Sequence, residues 1–144
     1  MAVSSFNPKE VLIIVGGVPI SGYADGTFLE ITQDVQQFTK TTGADGYTTR
    51  VKSNNYGATA TITLAQSSPS NDVLSALAAA DRLSNNGIFP ILIKDMSGST
   101  IIFAGTAWIQ QIPDAVFGNE INTRAWVIEM AEADTFLGGN GVFN

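Results

Sequence analysis

Gly57-Ala58-Thr59-Ala60-Thr61-Ile62-Thr63-Leu64-Ala65-Gln66 is the stretch whose reading decides the fold. Thr59, Thr61 and Thr63 alternate with Ala60, Ile62 and Leu64. A period of two belongs to a β-strand, with one face toward water and the other toward a core. Threonine, branched at Cβ, suits such a pleated surface.

The same texture extends outward in both directions. Upstream, Thr27 to Asp34 sets Leu29 and Ile31 against Glu30, Thr32 and Asp34. Downstream, Glu120 to Ala133 sets Arg124, Trp126, Ile128 and Met130 against Thr123, Ala125, Val127 and Glu129. Val11-Leu12-Ile13-Ile14-Val15 is wholly apolar and reads as a strand covered on both faces. Gly16-Gly17 turns it into a short return strand, Val18 to Ser21, whose Pro19 favours an edge. Ala24-Asp25-Gly26 marks a tight turn. Pro90 to Asp95 and Ser99 to Gln110 read as two strands joined at Met96-Ser97-Gly98, followed by a polar break from Gln110 to Asn119.

One helix interrupts the strands. Ser68 is placed as its N-cap and Pro69 at its first position, with Asp72 in the first turn. Val73, Leu77, Ala80 and Leu83 form the expected inward stripe, and Gly87 the stop. The architecture expected is mainly β: a single domain over 1–144, a β-barrel or curved sandwich with one covering α-helix. Two segments stand apart from that core. QQFTKTTGADGYTTRVKSNNYG, residues 36–57, has almost no aliphatic residues yet carries Lys40, Arg50 and Lys52. It is either a projecting β-hairpin or a disordered segment. Residues 134–144 form a glycine-rich C-terminal tail holding Phe136 and Phe143.

Composition narrows the function. Thirteen acidic against seven basic residues give a net charge of −6, the wrong sign for gripping phosphates. With no cysteine, disulfides and thiolate metal sites are unavailable. The absence of histidine removes the commonest general base and every Ser-His or Cys-His triad. Charged residues are only 14% of the chain, against about 25% in an average domain. A surface so short of charge suits a subunit largely covered by neighbours. The opening Met1 to Glu10 has no signal-peptide pattern, and the apolar runs are too short to span a bilayer, so a soluble product without membrane insertion is expected.

Chemical sites find little support. Gly16-Gly17 leads into a strand, whereas a phosphate loop must open a helix. Glu129, Glu132 and Asp134 are the densest carboxylates, but they follow no calcium-loop pattern and read as a solvated strand end. Trp108, Trp126, Tyr23, Tyr47 and Tyr56 could build a sugar platform, although both tryptophans lie in apolar strands and read as core. No catalytic residue, cofactor or metal ligand is assigned, and an enzyme is not expected.

The opening EVLIIVGGVPISGYADGTFLEI, the polar excursion 36–57, the helix started by Pro69 and the closing RAWVIEMAEADTFLGG together resemble the tail tube proteins of contractile-tailed bacteriophages, a fold shared with type VI secretion tubes. That resemblance implies six-membered rings that stack into a tube, with a sheath outside and DNA passing along the bore without specific binding. The implied partners are further copies of the chain, the sheath, and the baseplate and tape-measure proteins. The implied location is the virion tail, assembled in the host bacterial cytoplasm. Under that reading Glu30, Thr32, Asp34, Thr59, Thr61, Thr63, Thr123 and Glu129 line the lumen. Lys40, Asp45, Tyr47, Arg50, Val51, Lys52 and Tyr56 lie on an arm between rings, and Ser75, Ala78 and Arg82 face the sheath. The other reading is a carbohydrate-binding β-sandwich module of a virion or secreted protein. The sequence leaves open whether the chain is the repeating subunit, a baseplate initiator or a terminal cap, and which phage and host it comes from.

Overall fold

The computed structural model describes residues 3–139 and the backbone of Val142–Phe143. The Phe143 side chain and Met1, Ala2, Asn140, Gly141 and Asn144 lie outside the described residues. In chain order the strands are β1 (Ser4–Ser5), β2 (Val11–Val15), β3 (Val18–Pro19), β4 (Leu29–Gln33), β5 (Phe38–Thr42), β6 (Thr48–Lys52) and β7 (Ala58–Ala65). Helix α1 (Ser70–Ser84) follows, then β8 (Phe89–Asp95), β9 (Ile101–Gln111), β10 (Thr123–Met130), β11 (Asp134–Phe136) and β12 (Val142–Phe143). The tail expected from residue 134 thus begins as a strand, and β12 pairs back onto β1.

The main sheet is antiparallel, ordered β3-β2-β8-β9-β10-β7-β4. β9 is long enough to hold β8 along one side and both β11 and β10 along the other, β11 at Ile101 to Phe103 and β10 at Ala107 to Gln111. Register shifts at Val127/Ile128 and Phe89/Ile91 supply the extra residues that coil a sheet. The sheet wraps a core of Ile13, Ile62, Leu64, Ile91, Ile102, Trp126, Ile128 and Met130, all nearly or fully buried. Alternation in β7 holds throughout: Ala58, Ala60, Ile62 and Leu64 are buried, and the threonines between them are half-buried.

Of the two expected forms, the curved sandwich is the one observed, because the ladder ends at β3 and β4 without closing into a barrel. Residues 18–24 cross between the two edges near one end. Ile20 N–H donates to the Ile13 carbonyl (2.8 Å), Ala24 N–H to Thr63 (3.1 Å), and Ala65 N–H to Gly22 (2.9 Å). Gly22 has a φ of +74° and lies against Ser68, where a Cβ would come within 2.6 Å of the serine side chain. Only glycine meets both demands. β2 is fully covered on one face and partly on the other: Ile13 and Val15 are buried, whereas Leu12 and Ile14 keep some exposure.

Helix α1 starts one residue later than expected, at Ser70. Ser68 still caps it, accepting from Ser70 N–H (3.2 Å) and donating to the Ser21 carbonyl (2.6 Å). Its stop is Asn85, in the left-handed region at φ 57°, rather than Gly87. The inward stripe also differs. Ser70, Asn71 and Leu74 are buried and Leu77 packs on the core, but Leu83 is 86% exposed. At about 100° per residue, Leu83 lies almost opposite Leu74, so both cannot face the sheet.

Candidate functional site

Two surfaces carry the residues singled out above. The first is the outer face of β4, β7 and β10, which lie side by side. Their registers form cross-strand rows: Glu30 beside Thr61 beside Val127, then Thr32 beside Thr59 beside Glu129. Thr63 lies opposite Ala125, and Thr123 opposite Ala65 at the far end. The eight expected residues therefore share one face, none of them in the dry core. Thr59 Oγ1 lies 3.2 Å from both Asp34 Oδ1 and Glu129 Oε1. A hydroxyl has one proton, so it donates to one carboxylate at a time, and both charges stay concentrated at that end of the face. Trp108 belongs here too, opposite Glu129 and half-exposed, not in the core as its sequence setting suggests. A register shift in β9 brings it there, and no local sequence signal marks that.

The second surface is the ribbon β5–β6, which is the hairpin alternative for residues 36–57. Every residue in both strands is exposed, and the two strands pair only with each other. Tyr47 N–H donates to Asp45 Oδ1 (3.2 Å), and Gly43 N–H to the Tyr47 carbonyl (2.8 Å), which fixes the turn. The pairings of Phe38 with Lys52 and Lys40 with Arg50 gather the three cations and one aromatic ring onto one face. The Arg50 guanidinium lies 4.2 Å from the Phe38 ring centroid, and Lys52 Nζ lies 5.7 Å from that of Tyr56. The Tyr56 side chain, as a hydrogen-bond acceptor for the ammonium and then by its charge, raises the Lys52 pKa. Thr39, Thr41, Thr49 and Val51 make a neutral opposite face. The expected arm residues are thus split between two faces.

On α1, Ser75 and Arg82 are exposed and Ala78 is half-buried at the margin, with Leu83 beside Arg82 on the outer side. The connection between β9 and β10 departs from the polar break expected. Ile112, Val116, Phe117 and Ile121 are all largely exposed there, Phe117 at 74%. The carboxylates diverge: Glu129 reaches Thr59, while Glu132 and Asp134 border a shallow depression beside Phe103. The aromatic residues form no platform. Trp126 is buried, Tyr23 donates to the Val11 carbonyl (3.3 Å), and Tyr47 stands at the ribbon turn. Gly16 and Gly17, at φ 57° and 84°, make the tight turn between β2 and β3.

A profile of the bacteriophage PhiTE tail tube protein family matches residues 12–138. The chain belongs to this family. As a tail tube protein it is a structural component of a phage tail, which displaces the carbohydrate-binding reading. Structural protein ORF10 of Pseudomonas phage KPP10 is 40% identical over 145 residues, spanning 95% of this chain and 84% of that protein. A sheath/tube terminator of an extracellular contractile injection system in its extended state shares the fold, with a TM-score of 0.65 and 13% identity over 92% of this chain and 97% of that one. A chain of a native gene transfer agent virion shares it too, at a TM-score of 0.60 and 13% identity over 97% and 99%. The family resemblance read from the sequence is therefore borne out.

Proposed function

We propose that this tail tube protein is a subunit whose copies close into six-membered rings, that the rings stack into a tube inside a contractile sheath, and that the bore conducts DNA during ejection. The observation that carries the reading is the three-stranded face of β4, β7 and β10. Its inner side is the core, while its outer side is a sheet of threonines with Glu30, Asp34 and Glu129. Its last strand, β4, is a sheet edge. An unpaired edge invites another strand, and pairing across subunits around a ring removes it. The outer face then lines the bore, with Glu30, Thr32, Asp34, Thr59, Thr61, Thr63, Thr123 and Glu129 toward the DNA.

The role is mechanical. Six copies carry a net −36, six times −6, and a lumen of that sign repels phosphates and lets the genome slide. The ribbon within residues 36–57 is the connector between rings, using Lys40, Asp45, Tyr47, Arg50, Val51, Lys52 and Tyr56. Ser75, Ala78 and Arg82 of α1 face the sheath. Baseplate and tape-measure proteins meet the tube at its end and in its bore, and assembly takes place in the host cytoplasm. Negative-stain microscopy of the concentrated protein tests the reading: tubes, with six-fold end views, are expected. Dispersed particles at every concentration would overturn it.

A further inference from the structure

The ribbon and the apolar connection between β9 and β10 leave the lumen sheet at opposite ends. The ribbon springs from the end where Gln33, Ala58 and Met130 are paired. The connection enters β10 at the other end, where Thr123 is paired with Ala65, anchored by Gln66 N–H to the Asn122 carbonyl (3.0 Å) and Asn122 N–H to Gln66 Oε1 (3.1 Å). The length of β7 separates the two ends by roughly 25 Å at about 3.3 Å per residue. Ribbon and connection of one chain thus join the sheet at opposite ends of β7.

Their chemistries are complementary. The ribbon's cationic face carries Phe38, Lys40, Arg50 and Lys52, and residues 36–57 sum to +2. Residues 112–122, IPDAVFGNEIN, contain Asp114 and Glu120 and no cation, a sum of −2. Arg124, 6.0 Å from the Phe117 ring centroid, lowers the local imbalance without reversing it. Ile112, Val116, Phe117 and Ile121 offer largely exposed apolar surface among the described residues. We propose that the 112–122 connection is the receptor for the cationic face of the ribbon from a second copy in the adjoining ring. This rests on the stacked-ring reading and adds the surface that the connector meets. A contact between different patches at opposite ends of identical subunits repeats without limit, as a tube requires. Its opposite charges set register and suppress wrong partners more than they add raw affinity.

The chain has no cysteine, so engineered pairs report the contact cleanly. Thr48→Cys, on the ribbon's cationic side, is combined with Ala115→Cys or Asn119→Cys, and assembled tubes are oxidised. The double variants should give a disulfide ladder of dimers, trimers and higher multimers, whereas mixed single variants stop at dimers. Separately, Asp114→Lys with Glu120→Lys should abolish tubes while the subunit keeps its β circular dichroism. Adding Lys40→Glu, Arg50→Glu and Lys52→Glu to the same chain should restore them. Normal tubes in which neither pair cross-links, or loop-reversed protein that still forms tubes, would overturn the receptor assignment alone. Absence of tubes from the unaltered chain would instead strike the stacked-ring reading beneath it.

Discussion

Trp126 Nε1 donates a 2.9 Å hydrogen bond to Asn71 Oδ1, joining the middle of β10 to the first turn of α1. Asn71 Nδ2 donates in turn to the carbonyls of Ala65 and Ser68, each at 3.0 Å. Both side chains are buried, and among the described residues no buried side-chain polar atom lacks a partner. One amide therefore fixes the helix, the end of β7 and the largest core side chain together. Asn71→Ala leaves the indole N–H without its acceptor in a site that excludes water. The expected cost is about 2–4 kcal/mol, from an unsatisfied buried donor plus lost bonds to two carbonyls. Urea unfolding of the unassembled subunit measures it, and a change below about 0.5 kcal/mol, as at an ordinary surface site, would contradict the role.

The two leucines of α1 should separate cleanly. Leu74→Ala opens a cavity in the core and should destabilise by about 2–5 kcal/mol. Leu83→Ser, on the opposite side, should change stability by no more than about 0.5 kcal/mol. Equal effects in the same unfolding assay would mean the helix phase is wrong.

A flank of α1, with Ser75, Ala78 and Arg82, carries the sheath expectation. Arg82→Glu should reduce sheath attachment in assembled tails while bare tubes form normally. Electron micrographs of tails made with the variant decide it, and fully sheathed tails would exclude the helix as a major contact.

Tyr23 gives a pH signature. Burial raises its pKa above the usual tyrosine value, with the Ile13 backbone pulling the other way. A raised folded-state value means the native protein keeps this proton after the unfolded chain has lost it. The hydroxyl's contribution is therefore present below about pH 10, the free phenol's value, and fades as pH rises above it. Tyr23→Phe should cost about 1 kcal/mol near neutrality, and the gap from the unaltered protein should narrow above about pH 10. A gap that widens in alkali would reverse the assignment.

Deleting Lys40 to Lys52, bridged by a short Gly-Ser turn, should leave a folded subunit that no longer stacks. Both strands of the ribbon are exposed and make no part of the main sheet, so the core loses nothing. Circular dichroism and electron microscopy of one preparation test both halves. Tubes of normal length would remove the connector role, and loss of the β signal would place the ribbon in the core.

Alternation was legible in the sequence because it is local. A period of two sorts Thr59, Thr61 and Thr63 from Ala60, Ile62 and Leu64 whatever lies around them, and a turn such as Gly43 to Gly46 is set by a few backbone angles. The alternating strands of the main sheet, the single helix and the family followed from such features, while residues 36–57 stayed open between hairpin and disorder. Other relationships are set by distance through space, and only the tertiary structure decided them. The phase of α1, with Leu74 inside and Leu83 outside, depends on which side meets the sheet. Several apolar stripes were available on that helix, and packing chose one. Asn71 finds Trp126, and Asp34 finds Glu129 across Thr59, through strand register, which no short window contains. The exposure of Phe117 and Ile121 was hidden for the same reason. An apolar residue in a sequence looks the same whether its own subunit buries it or leaves it for another.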